Sequence, residues 1–300
     1  MQNMSDNIRG AIFMTGCMTC FTVNDGFMKS LADELPLFQA IFLRGIFTSI
    51  LLAILAWKLG GLQFSMPKTD RILVSIRSLA ELAAAYFFLT ALFNMPIANV
   101  SAILQVLPLT VALTGALFLR ESIGWRRLLA ILVGFVGVLL IVQPGSDGFN
   151  TYSVYAIISV ICVTIRDLAA RRLSGQASSM TVALVAAVAV TVGAGVASVT
   201  DEWVWPGLLA WAQLSGAVVF VIGGYIFSVM TMRVGDIGTV APFRYVSLLI
   251  AIIIGLLFFN EWPDAITLLG AAIVVATGIF TIYRERKSGM VPAPLPLRPR

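Results

Sequence analysis

Apolar residues run along this chain in stretches of about twenty, separated by short breaks rich in proline, glycine and charge. An α-helix rises 1.5 Å per residue, so such a stretch matches the roughly 30 Å hydrocarbon core of a bilayer. On that measure the sequence predicts helices over 8–28, 36–57, 72–93, 96–119 and 124–142. A second set follows over 152–172, 178–199, 208–231, 237–259 and 264–283. Ordinary stop signals mark the breaks: Pro36, Asn94-Met95-Pro96, Arg120-Glu121, Pro144-Gly145, Gly175, Pro206-Gly207, Gly235-Asp236 and Trp262-Pro263. The predicted fold class is an all-α membrane protein with ten transmembrane helices.

The charges between these stretches sharpen that reading. With the N-terminus in the cytoplasm, 15 of the 20 Lys and Arg fall in inside loops or the tail, and one, Lys29, falls outside. The remaining four, Arg44, Arg77, Arg166 and Arg244, lie within spans. Cytoplasmic loops are the ones enriched in Lys and Arg, and omitting one helix would scatter the bias, so it predicts N-in and C-in. Trp203, Trp205, Trp211 and Trp262 lie toward the outside face, where amphipathic rings suit the headgroup region. Residues 288–300 are Pro-rich and basic and read as a solvated cytoplasmic tail.

Composition agrees. Hydrophobic residues make up 59% of the chain and charged residues only 12%, with a mean hydropathy of +0.95. A water-soluble fold carries roughly twice that charge fraction to cover its exterior. The net charge of +5 and pI near 9.4 come from loop residues, so topology accounts for them and no nucleic-acid partner is expected. There is no histidine, which removes the commonest general base and metal ligand. Cys17 and Cys20 form a C-x-x-C inside an apolar helix without a second ligand pair, so they read as packing. No metal and no cofactor are expected. Neither paired catalytic groups at membrane depth nor a Walker A motif is present, which argues against an enzyme and against ATP drive within this chain. The first apolar run lacks a small-residue cleavage site and reads as a span.

The two sets of five stretches resemble each other at an offset of about 140 residues. Asn24-Asp25-x-x-x-Lys29 recurs as Arg166-Asp167-x-x-x-Arg171, and Cys20 corresponds to Cys162. Tyr86-Phe87-Phe88 corresponds to Tyr225-Ile226-Phe227, Glu121 to Glu261, and Gln105 to Tyr245. Five is odd, so the second half enters the membrane from the opposite side, and the halves form an inverted repeat. The expected organisation is residues 1–145 as the first repeat, 146–287 as the second, and 288–300 as the tail.

The stretch from Ala98 to Gly145, "ANVSAILQVLPLTVALTGALFLRESIGWRRLLAILVGFVGVLLIVQPG", and its counterpart "GTVAPFRYVSLLIAIIIGLLFFNEWPDAITLLGAAIVVATGIFTIYRER" carry a glycine-punctuated helix after a Glu-x-x-x-Trp/Ala junction. In this the chain resembles the drug/metabolite transporter superfamily of the EamA type over essentially residues 8–287. That resemblance implies a carrier in the bacterial inner membrane whose partners are a small-molecule substrate and membrane lipids, with a homodimer left open. Members export amino acids and drugs or take up metabolites such as S-adenosylmethionine and riboflavin. "LPLFQAIFLRG" and "FTVND" are similar to the riboflavin-importer branch, which makes riboflavin uptake the leading expectation for substrate. A lipid scramblase or a membrane scaffold is the non-transporting alternative.

Charged side chains within spans cost roughly 2.5–3.5 kcal/mol each to insert, so each one needs a reason. Arg77 and Glu81 are four residues apart and share a helix face. Arg44 and Arg244 have no local acid, and a guanidinium in a watery cavity offers bidentate donors to an anion. Asp25 and Glu81 are the candidate gate or proton-coupling groups. Tyr86, Gln105 and Tyr245 complete the expected substrate-binding set with Arg44, Arg77, Glu81 and Arg244, because ring stacking with a few oriented polar groups suits an aromatic metabolite. For Asp25 a local pair with Lys29 is the alternative to the gate role, while Arg166 and Asp167, near the cytoplasmic end of their helix, read as a local group with Asp167 paired to Arg171. Pro108 and Pro242 are expected to kink their helices.

Overall fold

The structure, a computed structural model, describes residues 2–58, 62, 65–119, 124–145, 149–174, 177–233 and 240–287. The junctions at Arg120-Glu121, Gly175 and Gly235-Asp236 and the tail 288–300 lie outside the described residues. Among the described residues there are helices and turns but no strand. The helices are α1 (Gln2–Ser30), α2 (Leu37–Lys58), α3 (Lys68–Asn94), α4 (Ile97–Leu104), α5 (Leu107–Leu119), α6 (Trp125–Val142), α7 (Tyr152–Arg171), α8 (Ser179–Ala197), α9 (Leu208–Arg233), α10 (Val246–Phe258) and α11 (Ala265–Lys287).

Eight stretches of the described residues are long and apolar enough to cross a bilayer: α2, α3, α4 with α5, α7, α8, α9, Ala241–Phe258 and α11. Helix α6 holds a shorter apolar run, Leu128–Val142. Helix α1 is 29 residues long but carries Asn24, Asp25 and Lys29, and it is not among the eight. The outer faces are greasy. Leu132, Val136 and Leu139 follow each other at helical spacing on α6, and each is more than half exposed. Val192 and Val196 on α8 and Leu249 and Ile253 on α10 repeat the pattern. Such stripes are stable against lipid tails and not against water, and the protein is a multi-pass membrane protein.

Two predicted continuous helices, 96–119 and 237–259, are interrupted. Pro108 has no N–H to give and its ring clashes with the carbonyl four residues back, that of Leu104. The chain responds with a turn at Gln105 and Val106, where Val106 N–H bonds to Ile103 O at 3.2 Å before α5 resumes. In the second half Pro242 sits in a tight 3-10 turn, Ala241–Tyr245, that leads into α10.

Every helix in the first half has its main partner in the second. Helix α1 packs on α9, α2 on α8, α3 on α7, α4 on α10 and α6 on α11, while α5 leans on α7. Two buried apolar clusters result. One gathers Ile103, Leu109, Ile131 and Ala156, and the other gathers Met28, Leu31, Leu92, Ile97 and Leu214. Helices α6 and α11 meet through glycines: a Cβ on Gly137 would lie 2.9 Å from the Gly270 carbonyl, and one on Gly270 2.6 Å from the Gly137 carbonyl. Those backbones touch with no room for a side chain.

Candidate functional site

Between the halves lies a cavity of about 620 Å³. Seven charged residues line it: Asp25 from α1, Arg44 from α2, Arg77 and Glu81 from α3, Arg166 and Asp167 from α7, and Arg244 from the 3-10 turn before α10. Phe21, Phe88 and Tyr225 add aromatic surface, and Phe21 meets the Tyr225 ring edge-on with centroids 5.7 Å apart. Leu104 and Leu107, which flank the turn between α4 and α5, reach the same space. Both broken helices therefore open onto the cavity, where freed backbone polar groups are tolerated inside a bundle.

The charges are organised around Arg166. Its Nη1 lies 3.1 Å from Glu81 Oε1, and its Nε and Nη2 both lie 2.9 Å from Asp167 Oδ1. Glu81 also faces Arg77 one turn back, at 3.8 Å, and Arg77 donates to Val182 O at 3.5 Å. One guanidinium thus serves two carboxylates and joins α3 to α7 across the halves. A second group joins α1 to α2: Arg44 donates to Asn24 Oδ1 at 3.2 Å, and the Asn24 amide donates to Asp25 Oδ1 at 3.0 Å. Tyr225 lines the same cavity as Glu81, Arg44, Arg166 and Arg77.

Of the residues singled out from the sequence, Asp25, Arg44, Arg77, Glu81 and Arg244 line the cavity, while Tyr86, Gln105 and Tyr245 are not among its lining residues. Tyr86 stacks on Phe38, with ring centroids 5.5 Å apart. Gln105 is buried and donates to Ser247 Oγ at 2.8 Å, and Ser247 donates to Arg244 O at 2.9 Å, so Gln105 braces the turn that carries Arg244. Tyr245 is buried against Gly278. Sequence reasoning left out Arg166 and Asp167, which it took for residues near a helix end. The available signal was their match to Asn24-Asp25 in the repeat. Cys17 donates to Gly224 O at 3.3 Å, a packing contact between α1 and α9. Among the described residues no group of three or more Cys, Asp or Glu is placed to hold a metal.

Lys29 departs from expectation. It does not pair with Asp25 but reaches across the halves to Glu261 Oε1 at 2.8 Å, with further bonds to Met95 O at 2.6 Å and Leu92 O at 3.3 Å. Glu261 Oε2 in turn accepts Ile97 N–H at 3.0 Å, at the start of α4. The sequence separation of these partners hid the pair. Nearby, Asp264 caps α11 by accepting Thr267 N–H at 2.7 Å, and Gln143 donates to its other oxygen at 2.6 Å. The bonds from Thr267, with a smaller contribution from Gln143, hold the Asp264 carboxyl below the ordinary range against slight desolvation.

A helical membrane body with a charged cavity between two halves defines a class of membrane carrier. Residues 8–143 and again residues 150–284 match the EamA-like transporter family, and the chain belongs to it. It is 29% identical over 273 residues to an S-adenosylmethionine uptake transporter of Rickettsia bellii, covering 89% of this chain and 91% of that one. It is 28% identical over 276 residues to the pseudopaline exporter CntI of Pseudomonas aeruginosa, covering 89% and 93%. A riboflavin transporter of Vibrio cholerae is 29% identical over 196 residues, 65% of each chain. A solved crystal structure shares the fold at a TM-score of 0.63 and 15% identity, covering 93% of this chain and 98% of that one.

Proposed function

We propose that this protein is a secondary transporter that moves a small polar or aromatic metabolite across the bacterial inner membrane by alternating access. The observation that carries this reading is the charged cavity between the halves, to which both broken helices contribute. In this reading α1 and α6 complete ten spans, arranged as two inverted five-helix repeats over 1–145 and 146–287 with both termini in the cytoplasm. The reciprocal pairing of first-half and second-half helices supports the inversion. So does the charge bias of the loops. Arg44, Arg77, Glu81 and Arg244 contact substrate, and Asp25 and Glu81 serve as gate or coupling groups. Tyr86, Gln105 and Tyr245 support the site from behind.

For cargo, S-adenosylmethionine-type uptake stands ahead of riboflavin, because similarity to the former relative spans 89% of the chain and to the latter 65%. Export, as named for the Pseudomonas relative, is the alternative direction. Flux of both compounds into proteoliposomes is the test. Saturable, competable uptake is expected. Lipid flipping without solute flux would overturn the reading in favour of a scramblase.

A further inference from the structure

The charges in the cavity do not cancel evenly. Arg166 is matched by Glu81 and Asp167, Arg77 shares Glu81, and Arg44 is tied to Asp25 through Asn24. Arg244 is left over. It lines the cavity, yet its guanidinium has no hydrogen-bond or ion-pair partner among the described residues. A charged group within a span is costly and marks a substrate or ion path, so a guanidinium that no described residue pairs is retained for something it meets only part of the time.

The repeat makes the asymmetry plain. Gln105 corresponds to Tyr245, so Leu104 corresponds to Arg244, and both line the cavity. At matching helix breaks the first half offers an apolar side chain and the second a cation. The backbone behind Arg244 is held by the chain from Gln105 through Ser247 to its carbonyl, so the head projects from a braced turn. Cys17 and Arg244 line the same cavity, while Asn24, Asp25 and Arg44 meet further along α1. Cys17 and Asp25 are separated by about 12 Å of helix at 1.5 Å per residue.

We propose that Arg244 is the docking point for an acidic group of the cargo, a carboxylate or a phosphate, and that the Asn24, Asp25 and Arg44 group takes its other polar end. This rests on the transporter reading and narrows it: a metabolite without an acidic group lacks the contact that orients it. A planar guanidinium binds either oxyanion through two parallel N–H bonds, which an amide side chain cannot do with charge.

The test uses two pairs of probes that differ by one acidic group: S-adenosylmethionine against its decarboxylated form, and riboflavin 5′-phosphate against riboflavin. Binding is measured by calorimetry on the whole purified protein. In at least one pair the acid-bearing member is expected to bind roughly ten- to a hundredfold tighter, and the pair that discriminates tells carboxylate from phosphate. Arg244→Gln is expected to erase the preference, and Arg244→Lys to keep a reduced one. If Arg244→Gln does not fold, selective weakening of the acid-bearing member in Arg244→Lys supports the assignment, and unselective or absent weakening overturns it. Absence of preference in both wild-type pairs, whether all probes bind or none, overturns it as well. Equal vesicle flux of the two members in both pairs would sink the docking role and leave transport standing, whereas loss of the transport reading needs absence of solute flux altogether.

Discussion

The buried pair of Lys29 and Glu261 is the sharpest place to test whether contacts between the halves hold this fold. An ammonium has three N–H donors, and Lys29 has three acceptors in reach, Glu261 Oε1, Met95 O and Leu92 O, with the Phe259 ring 5.3 Å away. Lys29→Met keeps the stem and removes the charge. Glu261 is then left with Ile97 N–H alone, and two carbonyls near the joint of α3 and α4 lose a donor. Removing one member of a buried pair costs about 3–5 kcal/mol. Glu261 is 22% exposed, so water recovers part of this, and the expected loss lies near the lower end, about 3 kcal/mol. Glu261→Gln strands the ammonium and is expected to cost a similar amount. The double variant Lys29→Met with Glu261→Gln removes both charges while keeping an acceptor for Ile97, so its cost should fall short of the sum by at least about 1 kcal/mol. Reversible denaturant unfolding of the four proteins in micelles supplies the numbers. Single variants within about 0.5 kcal/mol of wild type, the range of ordinary surface changes, would refute the reasoning.

Other outcomes follow from the same geometry. Gly137→Ala places a methyl against the Gly270 carbonyl and Val274, and backbone cannot yield as a side chain does. A loss of about 1–3 kcal/mol in micelle unfolding is expected, and a neutral result would mean the helices are not in contact there. Asp264→Ala removes the cap of α11 and is expected to cost about 1 kcal/mol. Because the Asp264 carboxyl is held below its ordinary range, its contribution is present in full above the unfolded value and fades as pH falls through the lowered one. The wild-type advantage over Asp264→Ala should therefore shrink in acid below about pH 4, read by unfolding against pH. If transport is coupled to protons, Asp25→Asn or Glu81→Gln should lower uptake driven by a pH gradient. Full uptake in both variants would remove these groups from coupling.

Helix positions were legible because the bilayer imposes one length on every span. The stretches read over 36–57, 72–93, 152–172 and 208–231 fall within a few residues of α2, α3, α7 and α9. The interruption at Pro108 was legible as a kink, while the bond from the Gln105 side chain at that turn to Ser247, 142 residues away, was not. In the site, Arg77 and Glu81 could be paired from spacing alone, since four residues make one turn. Arg166 could not be joined to Glu81 without knowing that α3 packs on α7, and the Lys29 pair needed the same kind of knowledge. Tyr86 shows the ambiguity of an aromatic ring inside a helix: it stacks on Phe38 and is not among the residues that line the cavity.

The glycine contact between α6 and α11 has a use in measurement. Two backbones in touch have no slack, so any working motion must be taken up elsewhere among the helices around the cavity. Spin labels at the exposed positions Leu132 and Leu269, on these two helices, should report one narrow distance throughout turnover. That pair would serve as a stationary ruler against which movement of the other helix pairs is calibrated.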